Sequence, residues 1–264
     1  MNTIATLDVP VVPKALYGVR TDYLRKRLPL IRPRREPKPI VTSTNLFLRS
    51  LPPACIDKLD HALRTVSMVR EQYLWGQGEV PDYVYFPETA VISHQKVLDD
   101  GRMVEVALTG REGSAGIASV FGSGLSPTSA QVVHAGVAVR IERNYLVKMV
   151  RVYPELVPLL LAEIGPYINN ISQHSICNMY HDVKQRLATW LLMIHDRCQT
   201  EILSLTHEQI ARSLGIYRPT ATGIALELRK DGAIQYGRGA VTILDRQLLE
   251  SDACSCYRRL PAFS

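Results

Sequence analysis

A proline set inside an otherwise helical apolar pattern is the strongest constraint on how this chain folds. The stretch is LTHEQIARSLGIYRPTATGIALELRKDGAI, residues 205–234. In a helix interior, proline removes one backbone bond and clashes with the carbonyl four residues back. In the first turn it is well tolerated, because the N–H it lacks would have no partner there. Pro219 therefore marks the start of a second helix, with Arg218 at its N-cap edge. The first helix opens on a T-x-x-Q capping box, Thr206 and Gln209, and runs to about Leu214. Gly215 supplies the tight turn between them. The spacing turns Ala221, Ile224, Ala225 and Leu228 inward and leaves Arg218, Thr222 and Gly223 outside.

Two short helices joined by a glycine turn form a helix-turn-helix. The following AIQYGRGAVTIL reads as two strands around Gly237-Arg238-Gly239, a hairpin wing. A plain helical hairpin would leave Arg218 at a helix N-terminus, where the helix dipole disfavours positive charge. In a recognition helix that end meets base edges, and arginine can donate twice to guanine. Double-stranded DNA is therefore the expected partner. Arg218 is the expected base reader, with Thr222 second, on a surface that also carries Pro219, Thr220 and Gly223. Thr206, His207 and Arg238 are the expected phosphate contacts, which position without reading sequence.

The formal net charge of +6 gives this reading no help. Residues 1–44 hold nine Lys/Arg against three Asp/Glu, so the remaining chain balances to zero. The same segment holds six of the 16 prolines and is expected to be a disordered basic tail. From Asn45 a short helix is expected, with Ile56, Leu59 and Leu63 on one face. Short β runs follow at 83–86, 90–98, 103–108 and 130–141, with Asp100-Gly101 as a hairpin turn. They suggest an antiparallel roll or barrel over 45–145.

Helical spacing returns in 154–180, where Leu156, Leu160, Ile164, Ile168 and Ile171 share a face and Gly165-Pro166 should kink or divide the helix. HDVKQRLATWLLMIHD (181–196) reads as an amphipathic helix with Val183, Leu187, Trp190, Leu191 and Ile194 inward. The expected organisation is tail 1–44, roll 45–145, dimerisation helix region 146–180, winged helix-turn-helix 181–250 and a C-terminal tail 251–264.

Residues 205–245 resemble, nearly position for position, the winged helix of the Crp/Fnr family of bacterial transcription regulators. The resemblance extends more loosely through YVYF and GREGSAG in the roll. It implies an α+β fold: a cyclic-nucleotide-binding-like β-roll, a long dimerisation helix and a C-terminal winged helix-turn-helix. It also implies a homodimer on a palindromic operator, with RNA polymerase as a further candidate partner.

Family members that bind cyclic AMP hold its phosphate with a glutamate and an arginine. Here Thr128 stands in the arginine's place, and Ile117 or Ala118 in the glutamate's. From Gly113 to Val139 there is no Asp, Glu, Lys or Arg, so charge-assisted bonds to a cyclic phosphate are missing. Ordinary cyclic AMP binding is not expected, and the cofactor-binding residues stay unassigned. Iron–sulfur relatives cluster their cysteines near the N-terminus, whereas only Cys55 of the five lies in the first half.

His174, Cys177 and His181 can share a helix face and are read as polar residues at a seam or hinge. Cys254-x-Cys256 is too short a motif to define a site. No metal, cofactor or catalytic residue is therefore assigned, and P-loop, zincin and hydrolase signatures are missing. The scattered thiols and the absence of a signal segment or long apolar run point to the cytoplasm and away from a membrane. The alternative from another class is a ligand-binding module whose winged helix docks a protein partner.

Overall fold

The computed structural model describes residues 43–237 and 239–259. It opens with two short helices, α1 (Leu46–Ser50) and α2 (Pro53–Leu59), where the sequence suggested one. Pro52 and Pro53 force the division, because neither can donate to a continuing helix. Seven strands follow: β1 (Arg64–Met68), β2 (Tyr73–Trp75), β3 (Tyr83–Pro87), β4 (Val91–Val97), β5 (Met103–Thr109), β6 (Ser129–His134) and β7 (Gly136–Glu142). They form two antiparallel sheets of order β1-β7-β3 and β2-β6-β4-β5.

The roll is held together by one crossing. Residues 130–141, a single run in the sequence, belong to both sheets, because β6 ends at His134 and β7 begins at Gly136. Gly136 allows the crossing. A Cβ there would lie 2.5 Å from the Ala90 backbone nitrogen. The Val137 carbonyl meanwhile accepts the N–H groups of Glu88 and Thr89. Asp100-Gly101 closes the β4–β5 hairpin as expected, with Gly101 at φ +83°.

After β7 come α3 (Arg143–Val152), α4 (Leu156–Ala162), α5 (Ile164–Tyr180) and α6 (Val183–Cys198). The Gly165-Pro166 pair does divide the helix, but the break falls at Glu163, ahead of the pair. The Pro166 ring would clash with the Ala162 carbonyl of a continuous helix. Leu156 and Leu160 are buried, whereas no residue of α5 is.

Then come β8 (Ile202–Leu203), α7 (His207–Leu214), α8 (Arg218–Lys230), β9 (Ile234–Gly237), β10 (Ala240–Ile243) and α9 (Arg246–Asp252). The last three strands form a small antiparallel sheet, β8-β10-β9.

Helix α6 is not amphipathic in its setting. From Leu187 to Ile194 every residue is buried, because α6 lies between the winged helix and the roll. Val91, Leu108 and Val133 of the roll share one apolar cluster with Leu191, Ile210, Ala225 and Val241. Polar contacts reinforce this face: Arg197 with Glu112 at 2.8 Å, Arg212 with Glu71 at 2.8 Å, and Trp190 with Glu105. Among the described residues no helix is long and apolar enough to cross a membrane.

Candidate nucleic-acid interface

The helix-turn-helix forms as its local signals dictate. The Thr206 hydroxyl accepts from the Gln209 N–H at 3.2 Å, and the Gln209 side chain accepts from the Thr206 N–H at 3.0 Å. Both halves of the capping box are therefore made. Gly215 ends α7 in the left-handed conformation, φ +65°, and a Cβ there would meet Val104 at 3.3 Å. A side chain at this turn would be both strained and crowded.

Helix α8 begins one residue earlier than its sequence suggests. Tyr217 is the N-cap, Arg218 occupies the first turn's first position, and Pro219 the second. The second position is still among the four N–H groups that have no helical acceptor, so proline fits there equally well. Ala221, Ala225 and Leu228 are buried and Ile224 is half-buried against the same core. On the other side Arg218, Pro219, Thr220 and Gly223 are exposed and Thr222 is half-buried. Among the described residues no ion pair holds the Arg218 guanidinium, and nothing lies within 4 Å of a Cβ built on Gly223.

His207 sits differently from a free surface donor. Its ring stacks on Tyr236, centroids 3.9 Å apart and planes 10° from parallel. Its Nδ1 meets the Thr222 hydroxyl at 3.1 Å, and its Nε2 is enclosed without a partner. Burial, and then the Arg218 charge, push its pKa below the usual histidine value, which favours the neutral ring. Thr222 also donates to the Arg218 carbonyl at 3.1 Å. His207 and Thr222 thus tie α7 to the first turn of α8. Arg238 lies outside the described residues. Its neighbour Gly239 accepts from Arg70 of the roll at 3.4 Å.

Two exposed apolar residues on this surface escape a reading based on core periodicity. Tyr217 is 85% exposed and Leu226 52% exposed. Leu226 lies three residues beyond Gly223 on the outer side of α8, and Tyr217 immediately precedes Arg218. The only sequence signal was that both fall outside the inward-facing spacing.

In the roll, the cassette without charged residues lines an open cleft of about 450 Å³. Thr128, Ile117 and Ala118 border it together with Trp75, His94 and Tyr167, and among the described residues no Asp, Glu, Lys or Arg does. The Trp75 indole N–H donates to Ser126 Oγ at 2.9 Å. His94 bonds Thr109 at 2.9 Å, leaves Nδ1 without a partner, and is pushed down to about 4 by burial, so its ring is neutral. Tyr167, carried by α5, stands edge-on to His94 with centroids 5.1 Å apart. The long helix therefore contributes a wall to the roll's cleft.

The three side chains grouped at the hinge do not stay together. His174 turns inward beside Glu105 and Trp190 and is pushed down to about 4, mainly by burial. Cys177 and His181 instead meet Cys254 and Cys256. Of the stretch set apart as a C-terminal tail, residues 254–257 pack here. Cys254 and Cys256 are buried, and the Tyr257 hydroxyl donates to Asp196 at 2.7 Å.

A β-roll joined by a long helix to a winged helix-turn-helix defines a class: a two-domain protein whose C-terminal domain has the form of a DNA reader. The comparisons agree. Residues 185–251 match the Crp-like helix-turn-helix domain. The chain is 24% identical over 217 residues to the CRP-like cAMP-activated global transcriptional regulator of Mycobacterium tuberculosis, covering 80% of this chain and 96% of that one.

Among solved structures, FixK2 from Bradyrhizobium japonicum aligns with TM-score 0.60 at 21% identity, covering 73% of this chain and 98% of that one. A putative Crp/Fnr-family regulator from Eubacterium rectale aligns with TM-score 0.61 at 16% identity, covering 79% and 98%. Residues 185–251 thus carry a Crp-like helix-turn-helix domain, which makes the chain a DNA-binding regulator by similarity, and the fold as a whole is that of the Crp/Fnr structures it resembles.

Proposed function

We propose that the chain works as a cytoplasmic homodimer on a two-fold symmetric operator, reading it with the outer face of α8. The observation that carries this reading is the exposed Arg218 at the start of α8, with no ion-pair partner among the described residues and beside a glycine that no packing demands. Arg218 reads a base edge, and Pro219, Thr220, Thr222 and Gly223 form the surface that enters the groove. Thr206 and Arg238 approach the phosphates. For His207 the stacking on Tyr236 favours a positioning role, since phosphate contact would require the ring to leave Tyr236. RNA polymerase is the further partner in this scheme.

The dimer rests on α5. Leu161, Ile168, Ile176 and Met179 are 44%, 57%, 46% and 75% exposed along one side of the α4–α5 rod. Small residues, Gly165, Ser172 and Ser175, are interspersed among them. An exposed apolar stripe on a 17-residue helix suits a second copy of the same helix, which would bury it symmetrically. Two recognition helices would then lie about 34 Å apart, one DNA turn. Among the described residues the roll's cleft has no charged lining, so its effector is not held as a cyclic phosphate is held by an ion pair.

The test is a mobility shift with operators selected from genomic DNA by the purified protein. Salt-sensitive, sequence-selective binding with dimer stoichiometry supports the proposal. Binding that is indifferent to sequence would point to a protein partner instead.

A further inference from the structure

Beyond DNA binding, the hinge between α5 and α6 carries a set of side chains that neither the fold nor the DNA surface requires. Cys177 lies in the last turn of α5 and His181 is its C-cap, with the His181 N–H donating to the Cys177 carbonyl at 3.2 Å. That closing turn puts both side chains on one side of the helix end. From 77 residues further along the chain, the turn after α9 brings Cys254 and Cys256 to the same place. The Tyr257 N–H donates to the Cys254 carbonyl at 3.0 Å, and both sulfurs of this bend face Cys177 and His181.

We infer that Cys177, His181, Cys254 and Cys256 form a four-ligand site for a single thiophilic divalent cation of the zinc class. All four donor atoms lie within 4.8 Å of one another. Cys177 Sγ is 3.7 Å from Cys254 Sγ, and His181 Nε2 is 3.2 Å from Cys256 Sγ. Tetrahedral zinc with bonds of about 2.3 Å to sulfur and 2.0–2.1 Å to nitrogen sets sulfur–sulfur edges near about 3.8 Å and sulfur–nitrogen edges near about 3.5 Å. The 3.7 Å and 3.2 Å pairs lie close to those edges, and no pair of the four exceeds 4.8 Å, so small side-chain shifts would complete the tetrahedron. A polynuclear iron–sulfur centre needs room for several metals between its thiolates, which this group does not leave. Three sulfurs and one imidazole select a soft ion over magnesium or calcium.

The surroundings fit thiolates. Thr189 Oγ1 lies 3.1 Å from Cys254 Sγ and can donate to it, while Gln173 Nε2 donates to Cys177 Sγ at 3.7 Å. Such outer hydrogen bonds orient ligands and neutralise part of their charge. Binding would release the thiol protons to solvent and leave four closed protein ligands, which is the pattern of a structural site. The ion would fasten the C-terminal segment to the point where the long helix meets the winged helix.

The full chain, expressed with zinc and purified under reducing conditions, should retain one zinc per chain through gel filtration. Stripped and refilled with cobalt(II), the wild-type protein should show the visible bands of a tetrahedral ion and a thiolate-to-metal charge-transfer band. Cys177→Ser and Cys254→Ser should each weaken metal retention at least tenfold, whereas Cys55→Ser should retain it fully. The cobalt spectrum needs no variant, so a poorly folding substitution does not weaken the test. A fully reduced, folded wild-type chain that neither keeps zinc nor gives the cobalt spectrum overturns the site. So does a Cys177–Cys254 disulfide that persists in freshly isolated protein with zinc present.

Discussion

Trp190 donates its indole N–H to Glu105 Oε1 at 2.8 Å, joining α6 to strand β5 of the roll through two buried side chains. Ser93 donates to the other oxygen at 2.7 Å. Glu105 is 1% exposed, and burial pushes its pKa up to about 7, against the opposing pull of Ser93, Trp190, Ser213 and the Arg197 charge. The native carboxyl therefore holds its proton to about pH 7, whereas the unfolded one releases it near its ordinary 4.5. Between those values the native state binds more protons, so stability falls as pH rises through the window and levels off above it. Glu163, likewise raised to about 7 mainly by burial, adds to the same slope. Glu105→Gln keeps an acceptor for Trp190 and should remove the Glu105 share. Urea melts of both proteins at pH 5 and pH 8 measure it, and equal pH slopes would refute the protonated carboxyl.

Arg218→Ala should lose about 1–3 kcal/mol of discrimination at one base pair per half-site. Its exposure and its lack of an ion-pair partner among the described residues leave the melting temperature nearly unchanged. Selection on randomised operators decides the matter. An unaltered base preference at every half-site position would remove Arg218 from the reading role.

Gly223→Ala should separate stability from function. A Cβ there meets nothing within 4 Å, and alanine in a helix interior is worth about 0.8–1 kcal/mol over glycine. The melting temperature should rise. Operator affinity should fall by about tenfold, or 1.4 kcal/mol, if DNA comes close to the backbone at this point. A more stable protein with unimpaired binding would show that the glycine is not kept for DNA.

Cyclic AMP should leave operator affinity unchanged. The M. tuberculosis relative is named as cAMP-activated, but none of the described residues that line the cleft carries a cation. A tenfold gain on titration, about 1.4 kcal/mol of coupling, would mean that backbone N–H groups and hydroxyls suffice.

If the proposed dimer forms through α5, Ile168→Glu should convert it to a monomer without unfolding the chain, because the side chain is 57% exposed in the single subunit. Sedimentation velocity gives the answer. A dimer that survives the charge would move the subunit contact away from this stripe.

The winged helix was legible because its signals are local. A capping box, a left-handed glycine and a proline in the first turn each act within four residues, and the structure differs only by placing Arg218 inside α8. The Asp100-Gly101 hairpin was legible for the same reason. Strands β1 and β2 were not. Both are short edge strands, five and three residues long, with too few repeats for an alternating pattern to stand out. The sheet change at Ala135 was also hidden, since the apolar spacing runs straight through it. Cys177 and Cys254 were beyond reach altogether, because their approach spans 77 residues and depends on where α9 docks on α6.

The apolar cluster that runs from Val91, Leu108 and Val133 into the winged helix has a consequence for engineering. The roll and the winged helix are not beads on a string that can be recombined at a linker. A calorimeter should record their melting as a single cooperative event, because opening the reader exposes part of the roll's own interior. A chimera that grafts this winged helix onto another roll would have to import those three residues and an acceptor for the Trp190 indole. Without them the graft would present to water a face evolved to stay dry.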